Sequence, residues 1–178
     1  MNGDERNLYN SVLKFVNPNE REWNDFFTCF SSREMMKNEP LLVEGQISQK
    51  IAYISQGCFR MFYILNGEER CKDFQTEGQF TGSLYSFLSG KPALFNVSAI
   101  ENSVILEISR DKLNHLFDTY KVWERFGRLY AEQLFLYKEQ REASLLNESA
   151  FTRYSGFINT YSKWAQRIPQ NTLLRTLG

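Results

Sequence analysis

The sequence contains few histidines and cysteines, and each shortage excludes a class of chemistry. Its 178 residues include one histidine, His115, and three cysteines, Cys29, Cys58 and Cys71. Metal-dependent hydrolases and metal-using barrels usually need two or three imidazoles, so a metalloenzyme is not expected. The cysteine spacing matches neither a zinc knuckle nor a Cys-x-x-Cys redox pair. No nucleophile motif accompanies His115, which argues against a catalytic triad.

Signals for membranes, secretion and nucleotide-phosphate loops are also missing. Stretches without charge, such as Gly78–Gly90, are far shorter than the roughly 20 apolar residues that cross a bilayer. The N-terminus MNGDERN carries charges of both signs and no apolar run behind them, so a secretory signal is not predicted. Neither a P-loop nor a Gly-x-Gly-x-x-Gly fingerprint occurs. We therefore expect a cytoplasmic protein without a membrane partner.

The charge balance hides an asymmetry between the two ends of the chain. The 21 basic and 21 acidic residues cancel, yet residues 149–178 contain four basic side chains and no acidic one. The rest of the chain therefore carries the compensating net charge of −4. A basic segment of this kind can reach a polyanion, although a solvated helical surface explains it equally well. The four basic residues are Arg153, Lys163, Arg167 and Arg175.

Regularly spaced glycines in the middle of the chain predict an all-β module. Short β-rich runs lie between them, and in CFRMFYILNGEE the dipeptide Asn66-Gly67 is the preferred two-residue hairpin turn. The run Ser103–Ile108 closes the set of strands. We predict an antiparallel roll or barrel from about Glu39 to Ile108. The glycines are Gly45, Gly57, Gly67, Gly78, Gly82 and Gly90.

Helices are predicted on both sides of this roll. Pro18 marks a break between two N-terminal helices, and Asn17 or Asn19 can cap the second. After the roll, Ser109 is predicted to cap a short helix, and Ser149 to cap a later one. The apolar face of the second N-terminal helix comprises Trp23, Phe26, Phe27 and Phe30.

A long helix is predicted from about Val122 to Leu146, because the stretch contains no proline and no glycine beyond Gly127. Its apolar side chains recur at spacings of three and four and form a stripe that needs two surfaces to cover it. One surface is the roll, and we predict that the other is the same helix of a second subunit in a homodimer. Burial within a single chain is the alternative. The predicted interface residues are Trp123, Phe126, Tyr130, Leu134 and Tyr137, and the residues that widen the stripe are Leu129, Leu136 and Ala143.

Three segments in this order resemble the Crp/Fnr family, the cyclic-AMP receptor protein type of transcription regulator. The sharpest is EGQFTGSLYSFLSGKPALFNVSAIENSVILEIS (Glu77–Ser109), which is similar to the family's phosphate-binding cassette and the strands after it. The segment EPLLVEGQISQKIAYISQGCFRMFYILNGEE resembles the first strands of the family's roll. The segment FTRYSGFINTYSKWAQRIPQNTLLRTLG is similar to the helix that leads into the family's DNA-binding domain.

The resemblance implies an α+β fold. It consists of an antiparallel β-roll of the cupin-like or jelly-roll, cyclic-nucleotide-binding type, with N-terminal helices, a long dimerisation helix and a helical C-terminal segment. Residues 1–148 would form the sensor domain, with the dimerisation helix at about 121–147. Residues 149–178 would begin a helix-turn-helix domain that the sequence leaves incomplete at Gly178. DNA is then a partner if the helix-turn-helix continues beyond that residue, with phosphate contacts expected from Arg153, Lys163, Arg167 and Arg175.

The resemblance also implies an effector pocket, but one without the family's usual cyclic-AMP contacts. Family members that bind this nucleotide have a glutamate after the cassette glycine and an Arg-Ser pair about ten residues later. Here Ser83 follows Gly82, and Ala93-Leu94 occupies the position of the pair. Losing a charge-assisted contact of this type costs about 1.5–3 kcal/mol, so the usual mode of cyclic-AMP binding is not expected. Lys91 could still supply a cation, although a lysine in such a loop is more often solvated.

This interpretation leaves two alternatives open, an unknown small-molecule effector or no ligand at all. The predicted ligand-binding residues are Gly82, Ser83, Leu84, Ala93, Leu94, Tyr130, Gln133 and Tyr137. No cofactor is expected, because an iron–sulfur sensor needs four clustered cysteines and His115 is poorly placed for haem. Two further hypotheses stay open: a sensory or interaction module without DNA binding, and an enzyme on a cupin-like roll, which would lack the imidazoles it needs.

Overall fold

The computed structural model describes residues 1–160 and Arg167. Helices α1 and α2 precede a β-roll, α3 lies within it, and α4, α5 and α6 follow it. Their bounds are α1 (Gly3–Val12), α2 (Glu20–Phe27), α3 (Leu84–Ser89), α4 (Arg110–Thr119), α5 (Lys121–Asn147) and α6 (Ala150–Thr160). No helix in this part of the chain combines the length and apolar character needed to cross a membrane.

The roll consists of two four-stranded antiparallel sheets, which confirms the predicted fold class. One sheet has the strand order β1-β8-β3-β6 and the other the order β2-β7-β4-β5. The strands are β1 (Ser31–Met35), β2 (Pro40–Leu42), β3 (Lys50–Gln56), β4 (Cys58–Leu65), β5 (Glu68–Thr76), β6 (Phe80–Thr81), β7 (Asn96–Ala99) and β8 (Ser103–Ser109). The roll thus begins at Ser31, eight residues before the predicted start at Glu39.

Local sequence chemistry accounts for several element boundaries. Asn19 forms a capping box with Glu22 at the start of α2, and the side chain of Ser109 caps α4. Asn66 and Gly67 have φ values of 54° and 80° and join β4 to β5, as a type I′ turn requires. Phe30, predicted on the apolar face of α2, lies beyond the helix end at Phe27.

The two larger hydrophobic cores of the described chain lie on opposite faces of the first sheet. Between the sheets, side chains such as Ile54, Phe59 and Val97 pack against each other. On the opposite face, Tyr53 and Leu106 contact a layer of helices. Neighbouring side chains of β3 therefore alternate between the two cores, as the pleat of a strand buried on both faces requires.

The first turns of the long helix α5 pack on their own chain, and two residues of the predicted dimer interface, Trp123 and Phe126, lie in this core. Trp123 is 0% exposed and stacks on Phe26 of α2 at a ring-centroid distance of 4.0 Å. Phe126 is buried in the same core, and Tyr130 packs on Phe80 of β6. The side chains of Trp123 and Phe126 are thus unavailable to a second subunit. The sequence pattern identified a buried face but not the surface that covers it.

Candidate functional site

The cassette predicted as a ligand site is a turn and a short helix between β6 and β7. Gly82 has a φ of 122°, a conformation that favours glycine, and it leads into Ser83, which is fully buried. The Ser83 hydroxyl caps α3 by accepting a hydrogen bond from the Ser86 N–H at 3.3 Å. Gly90 ends the helix in the left-handed conformation. Ser83 therefore has a structural role. The family resemblance implies that this position holds a glutamate whose carboxylate contacts the ligand.

Arg110 and Ser86 hold the cassette against the rest of the roll. The Ser86 hydroxyl accepts a hydrogen bond from the Ser48 N–H at 2.9 Å and donates one to the Lys91 carbonyl at 2.6 Å. Arg110 of α4 donates to the Ser86 carbonyl at 3.1 Å, and its guanidinium lies 5.4 Å from the Phe87 ring centroid. The cassette is therefore held in place by hydrogen bonds from within the chain.

The second half of the cassette points one predicted residue inward and the other outward. Ala93 exchanges backbone hydrogen bonds with the loop at Gly45 and Gln46, and its side chain packs in the core between the sheets. Leu94 is 55% exposed. Position 93 therefore faces the roll interior, and alanine supplies no charge there.

The structure separates the three ligand-binding residues predicted on α5. Tyr130 lies beside the cassette, because its ring packs on Phe80 at 5.3 Å, and burial raises the pKa of its hydroxyl to about 12. Gln133 is exposed to solvent. Tyr137 contacts β5 instead, where its hydroxyl donates to the Asp73 carboxylate at 2.9 Å. Leu84 is half-buried against the helical core.

A charged cluster lies at the centre of β5 and was not predicted from the sequence. Met61 of β4 pairs with Asp73 and Phe62 pairs with Cys71, so Lys72 between them is the extra residue of a β-bulge. The Lys72 ammonium lies 4.7 Å from the centroid of the Phe95 ring, just beyond the cassette. The signal was present in the sequence, because two consecutive charged residues interrupt the alternation of this strand.

Helix α5 is attached to this bulge by two side chains. Besides the Tyr137 hydrogen bond, Arg141 donates to the Lys72 carbonyl, and its guanidinium lies 3.8 Å from the Asp73 carboxylate. Burial lowers the pKa of the Lys72 ammonium, and the nearby charges of Lys138 and Arg141 lower it further, against the opposing effect of Asp73. The bulge therefore holds a poorly solvated cation next to the long helix.

Two of the four basic residues predicted to contact DNA, Arg153 and Arg167, lie in the described part of the chain. Arg167 is bound to the roll, where its guanidinium donates to Glu77 at 2.8 Å and also to Glu101. Arg153 donates to the Glu148 carbonyl at the start of α6. Lys163 and Arg175 lie outside the described residues. The guanidinium of Arg167 therefore already has two acidic partners, which any phosphate would have to replace.

The Arg167 ion pairs lie near a buried thiol. Cys58 is 1% exposed and packs with Phe74 and Ile100, with Ile158 of α6 against them. Burial and the Glu101 carboxylate raise the pKa of the Cys58 thiol to about 12. Within the described part of the chain, no group of three or more histidine, cysteine or acidic side chains is placed to hold a metal ion.

Comparisons with known proteins agree with this architecture. The sequence profile of the cyclic nucleotide-binding domain matches residues 32–120. No curated protein matches the chain in sequence. Among solved structures, FixK2 from Bradyrhizobium japonicum is 16% identical with a TM-score of 0.71, covering 84% of this chain and 77% of its own.

Two further structures extend the comparison. The c-di-GMP responsive global regulator CLP of Xanthomonas campestris is 16% identical with a TM-score of 0.69, covering 90% of this chain and 85% of its own. The regulatory domain of Toxoplasma gondii PKA, crystallised with cAMP, is 18% identical with a TM-score of 0.58 over 65% of this chain. This chain spans only 45% of that PKA chain. At these identities the structures share the fold, and the profile match shows that this chain belongs to the cyclic nucleotide-binding domain family.

Proposed function

We propose that this chain is the effector-sensing and dimerising portion of a Crp/Fnr-like transcription regulator, acting in the cytoplasm without enzymatic activity. Residues 1–148 would be the sensor and residues 149–178 the start of a DNA-binding domain. The observation that supports this most is the attachment of α5 to β5, through Tyr137 on Asp73 and Arg141 on Lys72. A ligand that moved β5 would move the long helix directly, and with it whatever α5 carries.

The proposed effector is not cyclic AMP held in the usual way. The inward-facing position 93 is alanine, and the residue after the cassette glycine is a serine whose hydroxyl caps α3. A phosphate bound in this cassette would meet neither the cation nor the carboxylate that the family resemblance implies. The deficit amounts to about two charge-assisted contacts, each worth about 1.5–3 kcal/mol.

The proposed homodimer uses the face of α5 that points away from the roll. Phe135 is 62% exposed and Leu136 is 60% exposed, whereas the opposite stripe is covered by the chain itself. Leu136 and Ala143, which are both exposed, are seven residues apart, the spacing of a seam between two parallel helices, whereas Leu129 packs on the core of its own chain. We assign this face to the second subunit in place of Trp123 and Phe126.

Sedimentation equilibrium tests the proposed dimer. The wild-type chain is expected to be a dimer at micromolar concentration, and Leu136→Glu is expected to be a folded monomer. Leu88→Glu on α3 is the matched control, because Leu88 is 68% exposed and lies on a different element. A wild-type monomer, or equal dimerisation of both variants, would contradict this part of the proposal.

A sensory module without DNA binding is the second candidate, favoured by the engagement of Arg167 with Glu77 and Glu101. The two candidates differ in their response to salt. A regulator that contacts phosphates through its basic segment binds duplex DNA with an affinity that falls steeply as salt rises. Fluorescence anisotropy of a labelled duplex therefore separates them, since the module would show no salt-dependent binding.

A further inference from the structure

The bulge in β5 places a cation where a regular strand would not. In an unbroken ladder, Cys71, Lys72 and Asp73 would alternate across the sheet, each opposite one residue of β4. The register shift between Met61 and Phe62 removes Lys72 from this pairing, and bulges commonly turn a side chain toward a functional site. Here the turned side chain is half-buried, with its ammonium above the Phe95 ring.

Lys72 lacks an anionic partner among the described residues. Its ammonium forms no ion pair with any of their carboxylates, and its one described contact is with the π-face of Phe95 at 4.7 Å. The neighbouring carboxylate of Asp73 is already occupied by the Tyr137 hydroxyl and by the Phe74 N–H. Two further cations, Lys138 and Arg141, act on Lys72 from α5. The local charge is therefore positive and only partly compensated.

Apolar groups form the rest of the surroundings. Phe95 belongs to the core between the sheets and is 8% exposed, and the ring of Tyr63, which is partly buried, meets it edge-on at 6.0 Å. A cation beside a partly buried aromatic surface favours a ligand with one charged group and a flat apolar body, because the attraction between opposite charges strengthens as water is excluded.

We propose that Lys72 anchors a binding site for a small organic anion, a carboxylate or phosphate monoester, whose flat apolar body packs beside Phe95 and Tyr63. This site names the effector chemistry of the sensor, so it rests on the proposed function. The anion replaces the missing partner of Lys72, and the Lys72 carbonyl is the group to which Arg141 of α5 donates. Ligand binding and the position of the long helix are thus connected through one residue.

A titration with two simple anions tests the site. Phenyl phosphate and benzoate are added to the whole chain at constant ionic strength, with sodium chloride as the reference salt, and binding is followed by calorimetry. We expect saturable binding of at least one anion to the wild type, and at least tenfold weaker binding to Lys72→Met. Lys91→Met is the matched control, because Lys91 is an exposed cassette lysine, and it is expected to bind as the wild type does.

The outcomes separate this site from the proposed function. Equal binding by Lys72→Met and the wild type, equal losses in both lysine variants, or no binding of either anion overturns the site. Lys72→Gln takes the place of the Met variant should the latter fail to fold. Sedimentation of the same samples reports the dimer independently: a dimer that ignores both anions leaves the proposed function standing, and a monomer that binds them through Lys72 refutes the dimeric regulator but keeps the site.

Discussion

Arg167 and Glu77 form a two-point ion pair between positions 90 residues apart, with guanidinium-to-carboxylate distances of 2.8 and 3.2 Å. Glu101 accepts from the same guanidinium on its other side. Glu77 lies between β5 and β6, and Glu101 between β7 and β8, so one arginine joins two loops of the roll. The buried Cys58 lies beside this junction and can report on it.

We predict that Arg167→Gln exposes the Cys58 thiol. The background is Cys29→Ser with Cys71→Ser, because those two thiols are half-exposed and would react first. Labelling of Cys58 by a thiol reagent is expected to accelerate about fivefold, the factor that about 1 kcal/mol produces for a partly exposed ion pair. Arg128→Gln is the control, since Arg128 pairs with Glu132 on the exposed surface of α5. Equal labelling rates in all three proteins would show that Arg167 does not secure the junction.

The same ion pair predicts a pH dependence of stability. Burial alone would raise the pKa of Glu77, but hydrogen bonds from Arg167 and the Gly57 N–H hold it below its usual value of 4.5. A carboxylate whose pKa is lowered on folding stabilises the protein above that usual value, and this stabilisation is lost as the pH falls through the lowered value. The melting temperature of the wild type should therefore exceed that of Arg167→Gln above about pH 5, and the difference should shrink in more acidic buffer. A constant difference across this range would rule out Glu77 as the partner.

Substitution of Gly57, which joins β3 to β4, is expected to cause a severe packing defect. Its φ is +113°, and a Cβ there would lie 2.0 Å from the Ser103 hydroxyl and 2.9 Å from the Ser103 Cα. Gly45 also has a positive φ, +88°, but its Cβ would meet nothing within 4 Å. In urea unfolding, Gly45→Ala is expected to cost about 1 kcal/mol of conformational strain, and Gly57→Ala at least about 3 kcal/mol. Similar losses in both variants would contradict the close approach at Ser103.

The features predicted most accurately from the sequence are those that depend on neighbouring residues alone. The Asn66-Gly67 turn, the Ser109 cap and the extent of α5 follow from conformational preferences that neighbouring residues share. Strand β1 was missed because SSREM contains no β-branched or aromatic residue. Its extended state comes from pairing with β8, where Arg33 faces Ile105. A partner more than 70 residues away along the chain does not affect the local residue pattern. The strand therefore cannot be predicted from that pattern.

The candidate site was predictable only in part for a similar reason. The cassette residues Gly82 and Ser83 could be located from the order of segments, and the structure places them in a turn that leads into α3. The apolar stripe of α5 indicated burial, but a spacing of three and four cannot tell Phe26 of the same chain from a helix of a second one. The bulge at Lys72 depends on the register between two strands, which the sequence does not specify.

Calorimetric titration of the whole chain with cyclic AMP shows whether this domain works without the usual cyclic-AMP contacts. Loss of two charge-assisted contacts weakens binding by about 100-fold or more. We expect no saturable heat up to about 100 μM cyclic AMP. A single-site isotherm with a dissociation constant in the low micromolar range would contradict it, because Ser83 and Ala93 would then belong to a working nucleotide site.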